Sequence, residues 1–246
     1  MKRFEEYCQS EIRSLTRHLR DYGRRQKPEA LHQMRVEVKK IKAIMAVING
    51  CVREFKAHKN FIPFRNIFRK AGSIREPEVL ARLLTRYKVD ETVDQLMPGN
   101  AKRNAAAFAS DVPRMVSVVK KSAKKLEVIS KKVHHDDFES YVVDKKKEVK
   151  SQLYPRPRMT IIHKVRKGIK EVVYLSALED HRKKGEAKFY DNMQNVIGRL
   201  HDKQVMLDLL KNKNARAHRA QLSAIRLECL SDKKEIVRLA TDFYKK

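Results

Sequence analysis

The chain has 246 residues, and 57 Lys and Arg against 30 Asp and Glu give a formal charge of +27. That excess is far above what solubility requires and points to a partner dense in negative charge. With 41% hydrophobic residues but only 7 Gly, 7 Pro and no Trp, the composition argues against disorder for most of the chain and against sandwiches, barrels and doubly wound sheets, and points to helices. At this length one large domain or two smaller ones can bury a core. No apolar stretch approaches the roughly 20 residues that span a bilayer. The start, Met1-Lys2-Arg3-Phe4-Glu5-Glu6, turns acidic where a signal peptide turns apolar, so a soluble, cytoplasmic protein without a membrane partner is expected. Cys8, Cys51 and Cys229 are odd in number and far apart, which suggests reduced, mostly buried thiols rather than a disulfide framework or zinc site.

In chain order, Phe4, Cys8, Ile12, Leu15, Leu19 and Tyr22 recur as one helical face, with Gly23 as the stop. Pro28 suits a first turn, and Leu31, Met34, Val38, Ile41, Met45 and Ile48 form an unbroken apolar seam closed by Asn49-Gly50. A third helix carries Phe61, Phe64, Phe68 and Ala71 up to Gly72. Pro77 then opens a fourth with Val79, Leu80, Leu83, Leu84 and Tyr87, before a turn at Pro98-Gly99. Ser110-Asp111-Val112-Pro113 looks like a cap and first turn for a helix with Val112, Val116, Val119, Leu126, Ile129 and Val133 on its core face. Six lysines, Lys120, Lys121, Lys124, Lys125, Lys131 and Lys132, cover its other side. The polar run His134-His135-Asp136-Asp137 marks the boundary between two halves, 1–134 and 135–246.

Phe138, Val142, Val149 and Leu153 predict a helix ended by Pro155-Arg156-Pro157, and Ile161, Val165, Ile169, Val172 and Leu178 predict the next. After Gly185, one helix is expected around Phe189, Met193, Val196 and Leu200 and another around Val205, Leu209 and Leu210. A last pair runs from about Ala215 to Phe243.

The chain also resembles itself. Leu31-His32-Gln33-Met34-Arg35-Val36 with Lys39 is echoed by Ile162-His163-Lys164-Val165-Arg166-Lys167 with Lys170, 131 residues later. Gly72-Ser73-Ile74-Arg75-Glu76 is echoed by Gly198-Arg199-Leu200-His201-Asp202 at an offset of 126. Two ordered matches at similar offsets indicate a duplicated helical unit. These residues resemble the CHAD family, the conserved-histidine α-helical domain, whose motifs are H-x-x-R-x-x-x-[KR]-[KR] in each half and a downstream G-x-x-[RQ]-[DE]-x-x-V. The first half matches at His32, Arg35, Lys39, Lys40 and Lys42. The second matches at His163, Arg166, Lys167, Lys170 and Tyr174, while Glu171 and Val173 stand where the family places basic residues and Gly168 lies mid-helix. The resemblance implies an all-α fold of two four-helix-bundle-like halves related by a pseudo-twofold axis. It also implies no cofactor and no catalysis, binding of inorganic polyphosphate along a basic surface, and association with polyphosphate granules. The triphosphate tunnel domain fused to some relatives, with its E-x-E-x-K strand, is absent from this sequence.

On a helix, i, i+3, i+7 and i+10 share a stripe, so His32, Arg35, Lys39 and Lys42 line up beside the apolar seam, and His163, Arg166 and Lys170 repeat the pattern. Arg offers a planar fork for two phosphate oxygens, and Lys a mobile point charge that tolerates a chain shifting in register. Arg156 and Arg158, and Lys120 and Lys124 with their neighbours, are candidate extensions. Arg75 with Glu76, and His201 with Asp202, suit local ion pairs or helix caps better than phosphate contacts. His134-His135-Asp136-Asp137 and His201-Asp202 contain metal-ligand residue types, but the first is a linker and His201 aligns with Arg75, which cannot ligate a metal, so no metal site is expected. No Walker loop, G-x-S-x-G elbow or CxxC is present. Non-specific nucleic-acid binding is the alternative function. The basic stripes lack interleaved aromatics for stacking bases, and no nucleic-acid motif accompanies them.

Overall fold

A computed structural model describes residues 1–96, 101–179 and 184–245. Among them there are helices and short 3-10 turns but no strand: α1 Lys2–Arg25, α2 Pro28–Cys51, α3 Ala57–Asn60, α4 Ile62–Arg86, α5 Val93–Leu96, α6 Ala101–Ser130, α7 His135–Leu153, α8 Ile162–Leu175, α9 Lys184–Asn214 and α10 Arg219–Tyr244. The chain divides into two compact units, Met1–Val79 with Gly99–Tyr141 and Leu80–Pro98 with Val142–Lys246. The boundary therefore falls inside α7, a few residues past the polar run, and 80–96 belongs with the second unit.

In the first unit α1 packs on α2 and on α6. The seam Leu31, Met34, Val38, Ile41, Met45 and Ile48 is at most 1% exposed. Phe4 meets Phe138 and Tyr22 meets Phe108, with ring centroids 5.8 and 5.3 Å apart. In the second unit α9 packs on α8 and α10 around Val165, Ile169, Met193, Leu200, Leu210 and Ile225.

Several expected boundaries lie inside helices. Gly23 does not stop α1, which ends at Gln26 with φ 47° and its N–H bonded to the Tyr22 carbonyl. Instead Gly23 lets Val112 approach, since a Cβ there would stand 3.2 Å from it. The helices expected on either side of Gly72 and Pro77 are one helix, α4, and Pro113 lies inside α6 rather than in its first turn. Ala105-Ala106-Ala107 and the buried Phe108 extend α6 backward. The two helices expected after Gly185 are the single α9, and the last pair is the single α10. Val205 is 42% exposed; Met206 and Leu210 fill the core positions in that turn. The expected turn at Pro98-Gly99 lies outside the described residues. Cys8 and Cys229 are buried and Cys51 is half-buried, all three as free thiols.

Each unit holds a buried ion-pair cluster. In the second, Lys203 on α9 bonds Asp232 at 2.8 Å and Glu228 at 3.0 Å, both on α10. Glu228 also accepts from Arg86 and Tyr87 at 2.9 and 3.0 Å, which binds the end of α4 to this unit. We expect Lys203→Ala to destabilise the protein by about 3–5 kcal/mol in urea unfolding, because Asp232 stays buried without its partner. Lys203→Met combined with Asp232→Leu should cost much less, since no charge is left unpaired.

In the first unit Lys40 on α2 bonds Glu11 on α1 at 3.1 and 3.2 Å and Glu37 at 3.3 Å, and Ser14 donates to Glu37 at 3.3 Å. Burial, and then the adjacent Glu37 carboxylate, push the Glu11 carboxyl from 4.5 up to about 7 against the pull of Lys40. A carboxyl that holds its proton more tightly when folded favours the fold at low pH. Its contribution is lost as pH rises from 4.5 to about 7. Glu11→Gln mimics the neutral form, so its stability relative to wild type should improve across that window, as pH-dependent urea titrations would show.

Candidate functional site

Burial of the apolar seam fixes the rotation of α2, so its flanking edge carries His32, Arg35, Lys39 and Lys42. His32 and Lys42 are exposed, whereas Arg35 and Lys39 are half-buried. The Arg35 guanidinium lies 4.3 Å from the centroid of Phe68 on α4, and the Lys39 ammonium 5.7 Å from the same ring. Lys42 stands 5.9 Å from Phe61. Aromatics are thus interleaved with these cations in space although not in sequence. The ring of Phe68 is already engaged by Arg35 and Lys39, which disfavours its use for stacking a base.

Gly72 explains how Arg35 gets there. A Cβ at Gly72 would lie 2.5 Å from Arg35 Nη1 and 2.9 Å from Glu76 Oε1. Only a residue without a side chain leaves that space on a helix surface. Glu76 faces Arg35 at 3.5 Å, an ion pair too long for a hydrogen bond, and Arg35 Nη1 is buried without a hydrogen-bond partner. Burial pulls the Arg35 pKa down while Glu76 opposes the shift, and a guanidinium remains charged throughout. With Nη1 sealed against Gly72, an anion has access to the remainder of the Arg35 side chain, 17% of which is exposed.

The second unit repeats the arrangement. Ile162, Val165, Ile169 and Val172 are buried. On the flank of α8, His163 and Lys167 are exposed, and Arg166 and Lys170 half-buried. Arg166 Nε donates to the Gln194 carbonyl at 3.2 Å. A Cβ at Gly198 would lie 2.6 Å from Arg166 Nη2. Burial lowers the Arg166 pKa, with Asp202 opposing. Gly72 and Gly198 therefore do the same thing for Arg35 and Arg166, a role that motif matching did not reveal. The signal was the glycine that opens the downstream motif in both halves.

His201 lies beside His163, with ring centroids 4.7 Å apart. Burial, then His201, Lys167, Arg166 and Lys170, hold the His163 pKa below its ordinary 6.5. Arg75 makes the expected local pair, bonding Glu78 at 3.0 Å, while Glu76 reaches across to Arg35 instead of capping its own helix. Glu171 is met by Lys145 of α7 at 3.7 Å, so a lysine from a different helix supplies positive charge where the motif residue is acidic. Gly168 accommodates Val149, which a Cβ would approach to 3.1 Å.

The other candidates fall elsewhere. Lys40 lies on the opposite edge of α2, engaged by Glu11 and Glu37, and does not join the stripe. Arg156 and Arg158 are exposed in the turn before α8, and Lys120 and Lys124 are exposed on α6. His134 and His135 are exposed, and Asp136 and Asp137 occupy the first turn of α7, where a carboxylate favours the helix dipole. Among the described residues, no group of three or more His, Cys, Asp or Glu could hold a metal ion, and no helix is long and apolar enough to cross a membrane.

No curated protein and no solved structure matches the chain. A family description, CHAD domain, matches residues 6–211, a span that takes in both His-x-x-Arg helices and both glycine seats. On that match and this geometry, the chain belongs to the CHAD domain family.

Proposed function

We propose that the protein binds inorganic polyphosphate non-covalently and without catalysis, anchored at Arg35 in one unit and Arg166 in the other. The observation that carries this reading is the recurrence, in both units, of a guanidinium held against a helical glycine with histidine and lysine on the same edge. The CHAD family is linked to polyphosphate binding. A cytoplasmic location, at polyphosphate granules, belongs to the same proposal. Each charge-assisted hydrogen bond nets about 1.5–3 kcal/mol, so affinity for a linear polyanion accumulates over many such contacts, with the seated arginines fixing oxygen positions and the lysines following the chain.

Reversing the charges should separate these stripes from diffuse attraction. Arg35→Glu with Lys39→Glu, and independently Arg166→Glu with Lys170→Glu, should each weaken long-polyphosphate binding at least about tenfold, given the bonds lost. Lys124→Glu with Lys125→Glu changes net charge equally and should cost only about threefold or less. Equal losses from all three pairs would remove the special status of the stripes. Affinity should also fall steeply and log-linearly with salt, as counterion release requires.

Binding should tighten as pH falls. In the free protein His163 titrates below 6.5, with burial first and then its cationic neighbours opposing protonation, and a bound phosphate raises that pKa, so binding takes up a proton in the window between the two values. His163→Gln should flatten this dependence in isothermal calorimetry across buffers of different ionisation enthalpy. An unchanged proton uptake would contradict a histidine role.

A further inference from the structure

The first unit has a second cationic feature, built from different helices. Beside α3 an open cleft of about 390 Å³ adjoins a hollow of about 190 Å³, and the two meet at Lys59, Asn60 and Lys125. Apolar side chains share the lining of the combined trough, Phe55 and Ile129 in the cleft and Pro63 and Val118 in the hollow. Four exposed lysines stand around it: Lys56 and Lys59 from the α3 side, and Lys121 and Lys125 from α6. None of the four makes an ion pair among the described residues. The one carboxylate in the lining, Glu54, is taken up by Lys132 at 2.5 Å, so it does not neutralise them.

This combination differs from the seated arginines. A linear polyanion could use the four lysines but gains nothing from the apolar lining. A bilayer surface needs protruding apolar side chains, whereas here Phe55 is 8% exposed and Ile129, Pro63 and Val118 are half-buried. An extended segment that alternates carboxylates with a large apolar side chain satisfies both parts, placing the apolar group against the apolar lining and the carboxylates beside the lysines. We propose that this trough docks an acidic, aromatic-containing segment of a partner protein, separately from the His-x-x-Arg stripes. The surface would let one molecule hold an anionic polymer and a protein at once.

The test uses the full chain and two short fluorescent peptides, one repeating Glu-Glu-Phe and one repeating Glu-Glu-Ser, followed by anisotropy. The Phe peptide should bind about tenfold more tightly, as burial of aromatic surface requires. Lys59→Glu with Lys125→Glu should weaken it at least about tenfold, and Arg35→Glu with Lys39→Glu should change it by less than about threefold. Circular dichroism of both variants should be unchanged, because all four side chains lie outside the apolar seam. Equal affinity for the two peptides would overturn the proposal, as would equal losses in the two variants, or a loss of long-polyphosphate binding in the Lys59 and Lys125 variant with peptide binding unchanged. Tighter binding of vesicles containing phosphatidylserine than of the Phe peptide, lost in the Lys59 and Lys125 variant, would overturn it in favour of a membrane surface.

Discussion

A guanidinium can lie against the backbone of a neighbouring helix only where that helix carries no Cβ, and this constraint organises both candidate stripes. At Gly72 and Gly198 the space a methyl would fill holds Arg35 and Arg166. Glycine in a helix interior costs about 1 kcal/mol relative to alanine, a local penalty that apolar packing on either side of each glycine offsets. Once seated, each arginine is half-buried with an acidic residue nearby to oppose its loss of hydration, Glu76 for the first and Asp202 for the second. Lys39 and Lys170 then follow on the same edge one turn further along each helix. Rigid donors with mobile charges behind them suit a ligand that is long, linear and uniform in charge.

The net charge of +27 says little about which cations are available to a ligand. Lys40 and Lys203 are drawn into buried carboxylate clusters that fasten α1 to α2 and α9 to α10. Lys146 bridges Glu179 and Glu186 at 2.6 and 2.9 Å. Lys145 is raised by Glu148 and Glu171 despite its burial. These cations work inside the fold. Neighbours in sequence can serve opposite ends, as Lys39 and Lys40 do, because 100° of helical rotation separates a ligand-facing edge from an interhelical one.

That rotation also explains what was legible beforehand. The seams of α2, α7 and α8 were readable because burial selects large apolar residues at a fixed period, and the stripes followed from their offset to those seams. Helix ends were harder. Gly72, Pro77 and Pro113 carry strong local signals for termination, yet a continuous apolar face runs past each of them, through Ile67, Ala71, Ile74, Leu80 and Leu84 in α4 and through Phe108, Val112, Val116 and Val119 in α6. Packing along that whole face outweighs the local preference, about 1 kcal/mol for glycine and about 3 for proline. The partners of the stripe residues were not legible: Phe68 beneath Arg35, His201 beside His163 and Lys145 opposite Glu171 come from distant segments. The lysines of the trough were assembled in the same way, from residues more than sixty positions apart.

The glycine seat is tested most directly by Gly72→Ala and Gly198→Ala, measured for urea stability and for long-polyphosphate affinity in the same buffer. The methyl would meet only the far ends of flexible side chains, Arg35 and Glu76 at Gly72 and Arg166 at Gly198, and alanine is the better helix former, so stability should hold or rise by up to about 1 kcal/mol. Displaced from the seat, the guanidinium loses its fixed position, and affinity should fall about threefold to tenfold in each variant. Unchanged affinity in both, with stability intact, would contradict the claim that seated arginines anchor the polymer.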